Sequence, residues 1–80
     1  MEGQTSHFKT RLHNRVVGHR WPRPEFHYTG PLVGEGGSNQ WLCVVNINDM
    51  EYGRAYGPSR QVASEAAATI AYNALIQQGH

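Results

Sequence analysis

The 80-residue sequence predicts an α+β domain in the order α-β-β-β-α, with two helices packed on one face of a three-stranded antiparallel sheet. Three observations point there. Phe8, Leu12 and Val16 recur at every fourth position near the start, the spacing of one helical face. The stretch WLCVVNIN, residues 41–48, alternates two sets of side chains as a strand does. An alanine-rich run, GPSRQVASEAAATIAYNAL over 57–75, repeats apolar residues at i, i+3, i+4 and i+7.

The first helix turns Lys9 and His13 to a face away from Phe8, Leu12 and Val16. Gly18 weakens its end, and WPRPEF, residues 21–26, forces an extended or turning backbone because each proline biases its predecessor away from helix. Trp21 and Phe26 bracket that crossing and are expected to pack. Phe26 and Tyr28 alternate with Glu25, His27 and Thr29, which predicts a half-buried first strand. The stretch GPLVGEGGSNQ, residues 30–40, is too rich in glycine for regular structure and reads as a long turn. In the second strand Trp41, Cys43, Val45 and Ile47 point one way, and Leu42, Val44, Asn46 and Asn48 the other. Asn48, Asp49, Met50 and Glu51 make a tight polar turn, and Tyr52 to Tyr56 a short third strand loosened by Gly53 and Gly57. Ser59 is the expected N-cap of the last helix, with Pro58 before it. Ala63, Ala66, Ala67, Ile70, Ala71, Ala74 and Leu75 form its inner stripe, whose small alanines let it lie close on the sheet while Ile70 and Leu75 fill the core. The domain spans 7–77, between a flexible tail at 1–6 and a C-terminal tail at 78–80.

Composition narrows the function. A hydrophobic content of 39% supports one modest core. No stretch approaches the roughly 18 apolar residues of a membrane span, and MEGQTSHFKT lacks a secretory leader, so an intracellular module, cytoplasmic or nuclear, with no membrane partner is expected. Cys43, the only cysteine, cannot form an internal disulfide and reads as a buried thiol. The histidines lack metal spacing, and the serines and carboxylates form no nucleophile, base and oxyanion arrangement, so no catalytic residue, metal, cofactor or small-molecule substrate is assigned. The net charge of +1 is balanced, but Lys9, Arg11, Arg15, Arg20 and Arg23 all precede the sheet, and only Arg54 and Arg60 follow. An anionic partner would therefore meet the N-terminal segment first.

Four pieces in order, KTRLHNRVVGHRWPRPEF, the glycine loop before WLCVVNI, EYGRAYGPS and the alanine-rich helix, make the chain resemble the double-stranded RNA-binding domain family from about Phe8 to Leu75. The resemblance implies that RNA is gripped at three places. On the first helix, Asn14 stands where a glutamate or glutamine commonly reaches minor-groove hydroxyls, with Lys9 and His13 nearby. In the loop between the first strands, the family's Gly-Pro-x-His, whose histidine enters the next minor groove, corresponds to Gly34-Glu35-Gly36-Gly37, which implies RNA contact at Gly36 and Gly37, with glutamate in place of the proline and glycine in place of the histidine, and Glu35 would repel phosphate. At the mouth of the last helix, the family's Lys-Lys-x-Ala-Lys corresponds to Arg60-Gln61-Val62-Ala63-Ser64. Ser59, Arg60, Gln61 and Ser64 would then meet phosphate together with the helix's free amides. Lys9, Arg11, Arg15, Asn14 and Arg60 could line one side. One cation in place of three implies weak to moderate binding, because each neutralised phosphate contributes about 0.9 to the logarithmic salt slope. The alternative implied role is protein association or dimerisation by a degenerate member, through the sheet face bearing Leu42 and Val44, the third strand's edge or the helices.

Overall fold

A computed structural model describes residues 7–33 and 39–80. Its elements are α1 (Phe8–Gly18), β1 (Glu25–Val33), β2 (Asn39–Ile47), β3 (Met50–Gly57) and α2 (Arg60–Gln77). The strands form one antiparallel sheet in the order β1-β2-β3, so the expected architecture is the observed one.

The fully buried core takes Leu12 and Val16 from α1, Cys43, Val45 and Ile47 from β2, and Ala63, Ala67, Ala68, Ala71 and Leu75 from α2. Phe8, Trp21, Phe26, Trp41, Tyr52 and Tyr72 pack around it, half-buried. Helix α2 lies on β2 and β3, and α1 packs beside α2. The closeness of α2 to the sheet depends on small residues from both sides. A Cβ on Gly53 would lie 2.7 Å from the Ala67 oxygen and 2.9 Å from the Ala71 nitrogen, and one on Gly57 would lie 2.7 Å from the Ala63 nitrogen. These glycines therefore do not loosen β3, as the sequence suggested. They mark where the strand and helix backbones touch.

Other local expectations also change. Strand β1 continues through Gly30 and Pro31 to Val33, and β2 starts at Asn39, so the turn between them is shorter than residues 30–40. The continuation is possible because Pro31 sits on an edge strand, where the register shifts between Thr29 and Leu32. Gly30 has φ 146°, which a side chain would resist. The β2–β3 turn is only Asn48 and Asp49, with φ 55° and 68°, the left-handed pair that suits a two-residue hairpin. Met50 and Glu51 already pair with Ile47 and Asn46. Phe26 is half-buried, but Tyr28 is 41% exposed near the sheet edge. Ile70 is 47% exposed because its place on α2 overhangs Gly53 of β3 instead of entering the core. Residues 78–80 fold back on α1: the His80 N–H donates to the Leu75 oxygen at 2.9 Å, and the His80 main-chain oxygen accepts from Arg15 Nε at 2.8 Å.

Candidate nucleic-acid interface

The mouth of α2 is built by Ser59. Its backbone is extended and so lies outside the helical region, and its Oγ accepts from the Val62 N–H at 3.2 Å. The amides of Arg60 and Gln61 belong to the first turn and have no intrahelical acceptor. No acidic residue stands in that turn to occupy the positive end of the helix. The Arg60 guanidinium carbon lies 5.3 Å from the centroid of the Trp41 ring. A Cβ on Gly30 would stand 3.1 Å from Trp41 Cε3, so β1, β2 and α2 are stacked here as backbone, indole and guanidinium. Such a cation–π contact contributes about 0.5–1 kcal/mol at an exposed site and keeps the guanidinium over the ring.

An open groove of about 730 Å³ runs between the starts of the two helices, lined among others by Lys9, Thr10, Ser59, Gln61, Glu65 and Thr69. Within it Glu65 Oε2 accepts from the Phe8 N–H at 3.3 Å. Helix α1 has no acidic residue in its first turn, and His7 provides no side-chain cap. Glu65 therefore supplies from α2 the negative charge that the start of α1 lacks. No local signal in the α1 sequence announces this partner 57 residues away.

The expected RNA-facing residues divide into groups. Relative to Leu12, Lys9 and His13 lie about 60° and 100° around α1 on one flank, while Asn14 points nearly opposite the core. Lys9 is half-buried, and His13 and Asn14 are exposed. Burial pushes the Cys43 thiol up, and the positive charge of Lys9 works against that rise, so Lys9 sits within electrostatic range of β2. Arg11 and Arg15 fall on the other flank, with guanidinium carbons 5.2 Å from the Phe8 ring and 5.8 Å from the Tyr72 ring. They do not share one side with Lys9. Ser64 is fully buried, and its Oγ donates to the Gln61 oxygen at 3.0 Å. Its hydroxyl is thus spent inside its own helix and is not available to phosphate. Gly36 and Gly37, with Glu35, lie outside the described residues. Arg54 donates to both Glu51 carboxylate oxygens, at 2.8 and 2.7 Å. That hydrogen bonding holds the Glu51 carboxyl below its ordinary range and raises the Arg54 guanidinium.

Among the described residues, no group of three or more His, Cys, Asp or Glu could hold a metal ion, and no helix is long and apolar enough to cross a membrane. Residues 8–75 match the family model described as the double-stranded RNA binding motif. The fold is similar to the solution structure of the second dsRBD of HYL1, with a TM-score of 0.66 and 22% identity, covering 85% of this chain and 96% of that one. No curated protein sequence matches the chain.

Proposed function

Because the chain belongs to the double-stranded RNA-binding motif family, it is a double-stranded RNA-binding module, and we propose that it grips an A-form duplex by shape and phosphate contact with little reading of sequence. In such a duplex the accessible minor groove presents mainly 2′-hydroxyls, which also separate RNA from DNA. The observation that carries the proposal is the mouth of α2, where outward first-turn amides meet an arginine stacked on Trp41 with no acidic residue in that turn. Arg60 and Gln61 take the phosphates there, with Ser59 holding the turn. Lys9, His13 and Asn14 of α1 meet a minor groove, and Gly36 and Gly37 are assigned to the next. One guanidinium in place of three cations makes the affinity low and the salt slope shallow, since each missing ionic contact removes about 0.9 from that slope. Double-stranded RNA as ligand accords with an intracellular setting, cytoplasmic or nuclear.

The test is a salt titration with a duplex RNA and a matching duplex DNA, on the wild-type chain and on Arg60→Glu. Preferential binding of RNA is expected, with chemical-shift changes at Lys9, His13, Asn14, Arg60 and Gln61. Arg60→Glu should abolish binding while leaving the thermal midpoint nearly unchanged. The lost stacking, about 0.5–1 kcal/mol, is offset by a carboxylate at a helix N-terminus, which contributes about 0.3–1 kcal/mol. Retained RNA binding by Arg60→Glu would refute the placement of the site. A second reading, self-association, is favoured by Tyr56, Val62 and Ile70, each about half exposed beside the unpaired edge of β3. Concentration-dependent sedimentation without RNA would support it.

A further inference from the structure

Lys9, His13 and Asn14 stand on α1, and Arg60 and Gln61 stand at the mouth of α2. An A-form duplex offers its grooves and phosphates at fixed spacings, so a chain that meets both sets must hold the two helix starts at a set distance. Leu12 and Val16 anchor α1 in the core, but the first turn, which carries Lys9, lies ahead of them. That turn has no side-chain cap from His7 and no acidic residue of its own. From α2 it is reached by Tyr72, whose ring centroid lies 5.7 Å from that of Phe8, and by Glu65 Oε2, which accepts from the Phe8 N–H at 3.3 Å. The ring contact fixes the Phe8 side chain but gives its amide no acceptor. Glu65 follows Gln61 by one turn on the same side of α2, and both line the groove with Lys9. A carboxylate beside residues that meet phosphate repels the ligand. Its repulsion and its hold on α1 therefore act on RNA binding with opposite signs.

We propose that Glu65 is a positioning residue for duplex RNA, an inference that rests on the RNA-binding reading of the two helix starts. Its carboxylate caps α1 from α2 and so sets the first turn, with Lys9 in it and His13 and Asn14 just beyond, at the distance from Arg60 and Gln61 that one duplex spans. The cap acts by accepting the Phe8 N–H, and the negative charge adds to it at the positive end of the helix. A chain whose first turn is unformed offers the duplex the mouth of α2 alone. Apparent affinity then falls in proportion to the fraction of chains in which the turn is formed. Glu65 acts on RNA through α1 and makes no contact with the ligand itself.

The test compares Glu65→Ala with Glu65→Gln. Both remove the charge, and only glutamine keeps an acceptor for the Phe8 N–H. The Thr69 hydroxyl donates to the Glu65 main-chain oxygen at 2.8 Å, a bond that neither substitution removes. Affinity for a duplex RNA is measured at low salt by fluorescence anisotropy, at a temperature where circular dichroism finds every chain folded. Glu65→Ala should bind about threefold to fivefold more weakly than the wild-type chain, and Glu65→Gln within about twofold of it. In the free chains, amide order parameters over Phe8 to Arg11 should fall in Glu65→Ala and hold in Glu65→Gln. In a chain that also carries Lys9→Ala, His13→Ala and Asn14→Ala, Glu65→Ala should cost under about twofold, since α1 no longer grips the duplex. Tighter RNA binding by both Glu65 variants would leave repulsion as its effect and overturn the proposal. So would wild-type affinity in Glu65→Ala, or an undiminished loss in the chain without the α1 contacts, which would put Glu65 on the RNA itself. A wild-type chain that binds no duplex RNA, or a chain lacking the three α1 side chains that binds as well as wild type, would refute the RNA reading of α1 and this proposal with it.

Discussion

Replacing Gly53 by alanine tests whether α2 rests on the backbone of β3. The added Cβ would stand 2.7 Å from the Ala67 oxygen and 2.9 Å from the Ala71 nitrogen, where ordinary contact begins near 3.4 Å. Relief of about 0.7 Å is needed. Both obstacles are helix backbone, so no rotamer change can supply it and α2 must move off the strand. A gap of about 0.5–1 Å forfeits a quarter to a half of each dispersion contact across it, and overpacking of this kind costs about 1–3 kcal/mol. Opposing this, alanine restricts the unfolded chain, a gain of about 0.4–1 kcal/mol. The net expectation is a loss of up to about 2.6 kcal/mol, centred on about 1.3, which at the centre lowers the midpoint by roughly 5–10 °C for a domain of this size. Gly18→Ala is the control, since nothing lies within 4 Å of its Cβ and the residue is helical. It should be stabilising by about 0.5–1 kcal/mol. Thermal and urea melts of the two variants should move in opposite directions. A rise in midpoint for Gly53→Ala would refute the claim that strand and helix backbones are in contact.

Other expectations follow from the same geometry. Ser59→Ala removes the acceptor for the Val62 N–H and should cost about 1 kcal/mol in urea unfolding, while Ser59→Asp keeps the cap. Trp41→Leu frees the Arg60 guanidinium and should weaken duplex RNA binding severalfold in a fluorescence-anisotropy titration, more than Arg60→Lys in the wild-type background; equal affinity would separate the ring from the site. The Glu51 carboxyl is depressed by hydrogen bonds from Arg54, so its stabilising contribution is present above the unfolded value of about 4.3 and is lost as pH falls through the lower folded value. An NMR titration should therefore find the Glu51 carboxyl higher in Arg54→Ala than in the wild-type chain. Any midpoint difference between those two chains should shrink in acid.

The elements that could be read from the sequence are those whose pattern is self-contained. The fourfold spacing of Phe8, Leu12 and Val16, the alternation from Trp41 to Ile47 and the cap at Ser59 each depend on neighbours within a few residues, and each appears in the structure. What escaped depends on distant parts of the chain. Gly53 and Gly57 look like strand breakers until α2 lies on them. Ser64 stands in a motif position that suggests exposure, but the helix turns it fully inward. Arg60 was visible as a cation at a helix start, whereas its stacking on Trp41 depends on the register that brings β2 beneath α2. Glu65 carries no local signal of its role, which arises only where α1 brings its first amide to it.

That last contact bears on the order in which the molecule opens. Helix α1 is short, is uncapped by its own sequence and is joined to the sheet through a proline-bearing segment, so alone it would be largely unfolded. Its amides are expected to exchange with solvent deuterium sooner than those of β2 or α2, as a separate opening unit. A duplex that requires Lys9, His13 and Asn14 would bind only the closed form. Added RNA would then slow exchange in α1 first and most, coupling ligand concentration to the persistence of a single helix.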